Sequence, residues 1–205
     1  MNIVRKIRKY FIMGSQNCKR NPEKILEEAA LAGITAFQFR EKGAGSLVGD
    51  EKITLGKRLR TICREYNIPF FINDDEALIE TLDADGIHVG QNDVPVEQLR
   101  ERYPELIIGL SISNETELAN SNVSVIDYVG AGPVFGTNTK EDAKQAVGLS
   151  WITTLRTLHP DLPIVGIGGI NETNAQQVIT AGADGVSFIS VVTHSKDIRR
   201  TLNNM

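Results

Sequence analysis

Gln38, Arg40 and Lys42 stand at strict i, i+2, i+4 spacing in the stretch FQFREK (37–42). On an extended strand that spacing puts an amide and two cations on one face, with Phe37 and Phe39 on the other. Three donors in a row, two of them charged, make a grip for an anion; a solvated edge strand is the plainer alternative. Asp74 ends the run PFFIND (69–74) and Asp93 follows GIHVG (86–90), and neither has a cation close by in sequence. Two carboxylates beside a cationic set suit a divalent, oxygen-seeking ion. Mg2+ is the expected one, because it is commonly held by one or two carboxylates while substrate phosphates complete its shell. The alternative for each Asp is a cap on the following helix.

Two glycine-bearing stretches add further anion chemistry. GPVFGTNTKED (132–142) offers hydroxyls, an amide and an ammonium at Thr137, Asn138, Thr139 and Lys140, with Gly132 and Gly136 permitting tight turns. It could cradle a phosphate, although the GxxxxGK[ST] spacing is absent, and an unliganded polar loop is the alternative. GIGGI (166–170) lets backbone approach a ligand, and a helix starting at Asn171 would turn free N–H groups toward it. The histidines carry less. His88 lies within a strand and reads as a barrel-interior or core residue, while His159 and His194 read as surface positions. Trp151, at the start of a helix, reads as packing.

Composition narrows the partners. The 205 residues are 41% hydrophobic and 23% charged, enough for a sizeable core in one domain spanning 1–205. A net charge of -4 argues against a nucleic-acid footprint, which needs a concentrated basic face, so a few local cations must catch any anion. No apolar run reaches membrane-spanning length, and the basic start lacks a cleavage site of small residues. Cys18 and Cys63 are isolated, as expected of buried, reduced thiols in a cytoplasmic protein.

These chemical residues need a frame. Eight β-rich runs (9–14, 36–41, 69–74, 86–90, 106–111, 127–132, 163–168 and 185–190) alternate with helix-periodic segments at 21–33, 46–66, 75–81, 95–103, 114–121, 148–158, 171–182 and 195–203. Near-continuous apolar runs between helices mark an α/β fold with a parallel sheet covered by helices, and eight units predict a (β/α)8 TIM barrel. A doubly wound open sheet is the competing topology. The echo of ADGI (84–87) in ADGV (183–186) supports the barrel. So does the position of the polar residues, which collect where strands end, the face that carries function in such barrels. In that frame Asp74 and Asp93 are expected to face each other across the mouth. Two anion grips on opposite sides would suit a diphosphate bound with Mg2+ and a monophosphorylated partner.

The chain resembles the thiamin phosphate synthase family over nearly its whole length. The resemblance is carried by YFIMGSQN, FQFREKGAGSL, IPFFINDD, ADGIHVGQND, IIGLSIS, DYVGAGPVFGTNTK, LPIVGIGGI and AGADGVSFIS in that order. It implies a Mg2+-dependent transferase that joins hydroxymethylpyrimidine diphosphate to a thiazole phosphate, releasing pyrophosphate. The implied step is dissociative: the aminopyrimidine stabilises a methylene cation, which the thiazole nitrogen captures. Carried across, Gln38, Arg40, Lys42, Asn73 and Ser111 contact the pyrimidine diphosphate, and Asp74 and Asp93 are the Mg2+ ligands. Thr137 and Thr139 bind the thiazole phosphate side and Lys140 reaches the pyrophosphate. Gly169 with Ile189 and Ser190 cradles the thiazole phosphate through backbone N–H groups. Arg40, Lys42, Ser111 and Lys140 are the implied catalytic groups.

Two positions depart from the commonest pattern. Asp75 stands where many relatives carry Arg, and Gly136 replaces a frequent Pro. A tautomerase-like barrel acting on thiazole phosphate, or a non-catalytic phosphate-ligand sensor, are the rival readings. The expected partners are phosphorylated small molecules, with a homo-oligomer possible, and neither nucleic acid nor membrane.

Overall fold

Short runs dominated by aromatic and branched aliphatic residues favour strands, and each of the eight predicted runs forms one. The computed structural model describes residues 3–137 and 145–205. The strands are β1 (Lys9–Met13), β2 (Ala36–Phe39), β3 (Phe70–Asn73), β4 (Gly86–Val89), β5 (Ile107–Ile112), β6 (Tyr128–Ala131), β7 (Ile164–Gly166) and β8 (Gly185–Phe188). They pair in chain order, all parallel, and β8 closes on β1. The doubly wound alternative is thereby excluded.

The helices between them, in chain order, are α1 (Ile3–Lys6), α2 (Pro22–Leu31), α3 (Gly49–Glu65), α4 (Leu78–Thr81), α5 (Val96–Arg102), α6 (Glu115–Ala119), α7 (Gly148–Leu158), α8 (Ala175–Thr180), α9 (Ser190–Thr193) and α10 (Ile198–Asn203). Two expectations need correction. The helix expected over 171–182 is only the six-residue α8, because Asn171 and Asn174 build a turn first: Asn174 Oδ1 accepts from the Asn171 N–H and its Nδ2 donates to the Gly169 carbonyl. The helix expected over 195–203 is preceded by a separate turn of helix, α9, directly after β8.

Strand alternation has a different meaning in a closed barrel. Phe37 and Phe39 on β2 pack outward into the large core beneath the helices. The opposite face of β2 points into the barrel, where Ala36 joins Tyr10, Phe71, Tyr128 and Val165 in a smaller inner core. All four residues of β2 are buried, so it is not the half-solvated strand that its pattern suggested. Its polar face looks into the barrel rather than into water.

The end of the barrel where the strands begin is fastened by a fourfold repeat. Before β4, β6 and β8 stand Asp85, Asp127 and Asp184, whose carboxylates accept the backbone N–H of Phe70, Ile108 and Ile164 on the preceding strand, each at 2.8 Å. Each carboxylate also pairs with an arginine from α3, α5 or α7, namely Arg60, Arg100 and Arg156, at 2.6–2.8 Å. Before β2 the acceptor is Thr35, whose Oγ1 takes the Lys9 N–H at 2.8 Å. The ADG echo in the sequence is two members of this set. These clamps lie opposite the candidate site and fix which strand starts beside which.

Candidate active site at the C-terminal mouth

The C-terminal ends of the strands enclose a cavity of about 660 Å3. Arg40, Lys42, Asn73, Asp74, Asp93 and Ser111 line it on the β2–β5 side, and Thr137, Gly169, Ile189 and Ser190 line it on the β6–β8 side. Sequence reasoning placed these residues in one site, and the fold brings them together. Thr139 and Lys140 lie outside the described residues. Gln38 is one level deeper: it is 1% exposed and does not line the cavity, and its Nε2 donates to Tyr10 Oη at 3.1 Å.

The cationic loop is held by its neighbours rather than by strand geometry. β2 ends at Phe39, so Arg40 and Lys42 belong to the loop that follows it. Arg40 is only 5% exposed, and its N–H continues the ladder by donating to the Met13 carbonyl. Gln16 donates from Nε2 to the carbonyls of Arg40 and Lys42, at 2.8 and 3.1 Å. Glu41, between the two cations, turns away from the cavity and accepts from Ser15 Oγ at 2.9 Å, the Ser15 N–H, and the Leu47 N–H at 2.8 Å. Gln16 and Glu41 received no role from sequence, and both build the loop that presents the cations.

The two aspartates adjoin one another instead of facing across the mouth. β3 and β4 are paired neighbours, so residues following them are side by side. Asp74 takes a left-handed backbone conformation, φ 61°, a region sparsely occupied by side-chain-bearing residues and often associated with functional sites. Its carboxylate receives Lys42 Nζ at 2.6 Å. Asp93 Oδ2 accepts the Gly90 N–H at 2.7 Å. Burial, and then the adjoining Asp74 carboxylate, hold the Asp93 carboxyl above its usual range, with Lys42 pulling the other way. Neither residue caps a helix: the N-caps of α4 and α5 are Ala77 and Pro95. Two carboxyls side by side are a natural place for a divalent cation. The donor set fits Mg2+ with phosphate oxygens filling the remaining positions. Asp75 is drawn away by Lys52, 2.7 Å from its Oδ2.

Across the cavity the backbone is unusually close-fitting. Gly168 and Gly169 have φ of 97° and 63°. A Cβ on Gly169 would meet the Gly136 carbonyl oxygen at 2.7 Å, and one on Gly168 would meet Pro133 at 2.4 Å. The loop after β6 is stitched to this glycine turn by Val134 N–H to the Ile167 carbonyl and Phe135 N–H to the Gly168 carbonyl, at 2.7 and 3.0 Å. α9 begins at Ser190, so the first-turn N–H groups around Ile189 and Ser190, which have no acceptor within a helix, stand at the cavity wall. Loops after the seventh and eighth strands with a short extra helix form a recurring phosphate site in such barrels.

The two cysteines are not poised for chemistry. Burial pushes the Cys18 thiol up to about 12 and raises the Cys63 thiol as well, and neither lines the cavity. Cys18 is only half-buried, less than expected. Trp151 is packing, with its Nε1 donating to the Ile112 carbonyl at 2.8 Å. His88 does line the cavity and is held at both ring nitrogens, by Tyr128 Oη and Ser111 Oγ.

Residues 9–192 match the family model described as thiamine monophosphate synthase. The chain belongs to that family. It is 60% identical over 199 residues to the thiamine-phosphate synthase of Oceanobacillus iheyensis, covering 97% of both chains. It is 46% identical over 197 residues to thiamine-phosphate synthase 1 of Streptococcus pneumoniae, covering 96% of this chain and 94% of that one. Among solved structures it superposes on the thiamine phosphate pyrophosphorylase of Pyrococcus furiosus with a TM-score of 0.86 at 33% identity, over 99% of this chain and 95% of that chain. Among the described residues no helix is long and apolar enough to cross a membrane.

Proposed function

We propose that this protein is a thiamin phosphate synthase of the cytoplasm. It transfers the aminopyrimidinylmethyl group from hydroxymethylpyrimidine diphosphate to a thiazole phosphate, giving thiamin phosphate and pyrophosphate. The observation that carries the reading is the pairing of two unlike anion grips across one cavity: Arg40, Lys42 and two adjoining carboxylates on one side, and a glycine turn with a helix start on the other.

The carbon–oxygen bond to the diphosphate breaks first, with its electron pair leaving on oxygen. Charge therefore develops on the departing group, and donors already in place there lower the barrier most. Arg40 is nearly buried at the strand end, where a guanidinium attracts an anion more strongly than it would in water. Lys42, Asn73 and Ser111 add donors from the loop after β2 and the ends of β3 and β5, and Lys140 serves the same group. Asp74 and Asp93 would hold Mg2+, which when bound neutralises diphosphate charge. Gly169, Ile189 and Ser190 hold the thiazole phosphate, with Thr137 and Thr139 as further donors to it, so that the ring nitrogen is aimed at the cationic methylene. Positioning of this kind supplies much of the rate in a two-substrate step.

The test is formation of thiamin phosphate by the purified protein from both phosphorylated precursors, with Mg2+ and with excess chelator. Product that appears only with Mg2+ supports the reading. Binding of the thiazole phosphate without any product would reject it in favour of a tautomerase-like or sensing role.

A further inference from the structure

A polar thread crosses the barrel interior beneath the cavity. Strand register sets His88 on β4, Gly109 on β5 and Tyr128 on β6 at one level. A Cβ on Gly109 would lie 2.1 Å from the Tyr128 ring, so glycine at that position lets His88 and Tyr128 meet across β5. Gly130 makes room for the His88 ring in the same way, since a Cβ there would lie 2.7 Å from His88 Cε1. The thread runs from Gln38 Nε2 to Tyr10 Oη at 3.1 Å, to Tyr128 Oη at 2.9 Å, to His88 Nδ1 at 3.0 Å, and from His88 Nε2 to Ser111 Oγ at 2.8 Å.

Counting donors gives the thread a direction. The Gln38 amide donates into Tyr10, so the Tyr10 proton goes to its one other partner, the Tyr128 oxygen. Burial raises both phenols far above their ordinary range, and each keeps its proton. The Tyr128 proton then points at His88 Nδ1. A ring nitrogen that accepts carries no hydrogen, which puts the imidazole proton on Nε2. That proton is given to Ser111 Oγ, and the serine's own hydrogen is left for a group in the cavity. This direction follows from Gln38 Nε2 standing against Tyr10 Oη; turning that amide over would reverse the thread, with Oε1 taking the Tyr10 proton and His88 carrying its own on Nδ1.

We propose that His88 is a positioning residue: Tyr128 holds it as the Nε2–H tautomer, and it thereby fixes Ser111 as a hydrogen-bond donor to an anionic oxygen in the cavity. The inference rests on the reading that Ser111 meets the diphosphate, and it deepens that reading. A hydroxyl already oriented needs no reorganisation when charge develops beside it. Gln38, out of reach of the cavity surface, acts here as the anchor that starts the thread.

The test is 15N NMR of the full chain with labelled histidine, the His88 signals being assigned by their loss in His88→Gln. Wild type should show the Nε2–H tautomer. Tyr128→Phe keeps the ring and removes only the hydroxyl; it should shift His88 toward the Nδ1–H form and lower kcat about tenfold, the effect of one oriented hydrogen bond, with KM for the thiazole phosphate unchanged. In a Ser111→Ala background the same change should cost nothing more. An imidazolium or Nδ1–H form in wild type, or losses that multiply in the double variant, would overturn the proposal. If wild type made no thiamin phosphate the synthase reading would fail, while the tautomer, which needs no substrate, would still decide the role of His88.

Discussion

Lys42 Nζ lies 2.6 Å from Asp74 Oδ2, a bond between loops on neighbouring strands that joins the cationic grip to the carboxylate pair. The two sets of charges are one device. While Asp74 holds the ammonium, the lysine is kept at the cavity edge, and a divalent cation competing for the same carboxylate would free Lys42 to meet the diphosphate. Lys42→Ala and Arg40→Ala should each slow turnover by about 10²–10³ fold, the scale of losing one preorganised transition-state donor. Steady-state kinetics with saturating Mg2+ measures this, and near wild-type rates in either variant would remove the diphosphate grip from the account.

Asp93 sits against Asp74 and is raised by burial and by that neighbour. Replacing it with Asn keeps an acceptor for the Gly90 N–H and removes the repulsion. Asp93→Asn should therefore melt at a higher temperature than wild type at neutral pH without divalent ions, yet lose Mg2+-supported turnover. A variant that is less stable under those conditions would show that the carboxylate pair is not under strain.

Glu41 ties the cation-bearing loop to the turn after β1 through three accepted hydrogen bonds. Glu41→Ala leaves the Leu47 and Ser15 N–H groups without their acceptor, at a cost of about 1–3 kcal/mol. Denaturant melts should show that loss. Because Arg40 and Lys42 flank it, kcat should fall as well, while binding of thiazole phosphate alone is unchanged.

Gly169 combines φ 63° with a Cβ position 2.7 Å from the Gly136 carbonyl. Gly169→Ala should raise KM for the thiazole phosphate more than it lowers kcat, since a left-handed alanine costs about 1–2 kcal/mol and the loop must move away. Equal affinity for thiazole phosphate in the variant would place that phosphate elsewhere.

At the far end of the barrel, Asp127 accepts from the Ile108 N–H and from Arg100. Asp127→Ala should cost about 1–3 kcal/mol of stability by orphaning that N–H, and leave kcat unchanged below the unfolding transition. A loss of turnover in the folded variant would contradict the separation of the clamp face from the chemical face.

Much of this was legible in sequence for physical reasons. A parallel barrel buries both faces of each strand and puts βα loops at one end, so polar residues at strand ends pointed to the fold and to the mouth where most of the described candidate residues gather. The alternation in FQF was read correctly as two faces of β2, but Arg40 and Lys42 lie in the loop beyond the strand, and sequence alone does not say whether the second face meets water or a barrel interior. The adjacency of Asp74 and Asp93 followed from strand order once the barrel was closed. His88 was hidden because its partners come from two other strands, and the signal for it lay in Gly109 and Gly130, whose meaning depends on register. α9 was missed because Ser190–Thr193 contains two valines and a threonine, poor helix formers held by tertiary context.

The central claim is that one cavity holds two different phosphate groups at once. Calorimetric titration of pyrophosphate with Mg2+ into protein already saturated with thiazole phosphate tests it most directly. The account predicts that pyrophosphate still binds, that binding needs Mg2+, and that it is weakened by Arg40→Ala but not by Gly169→Ala. Displacement of the thiazole phosphate by pyrophosphate, with one ligand bound at a time, would contradict it.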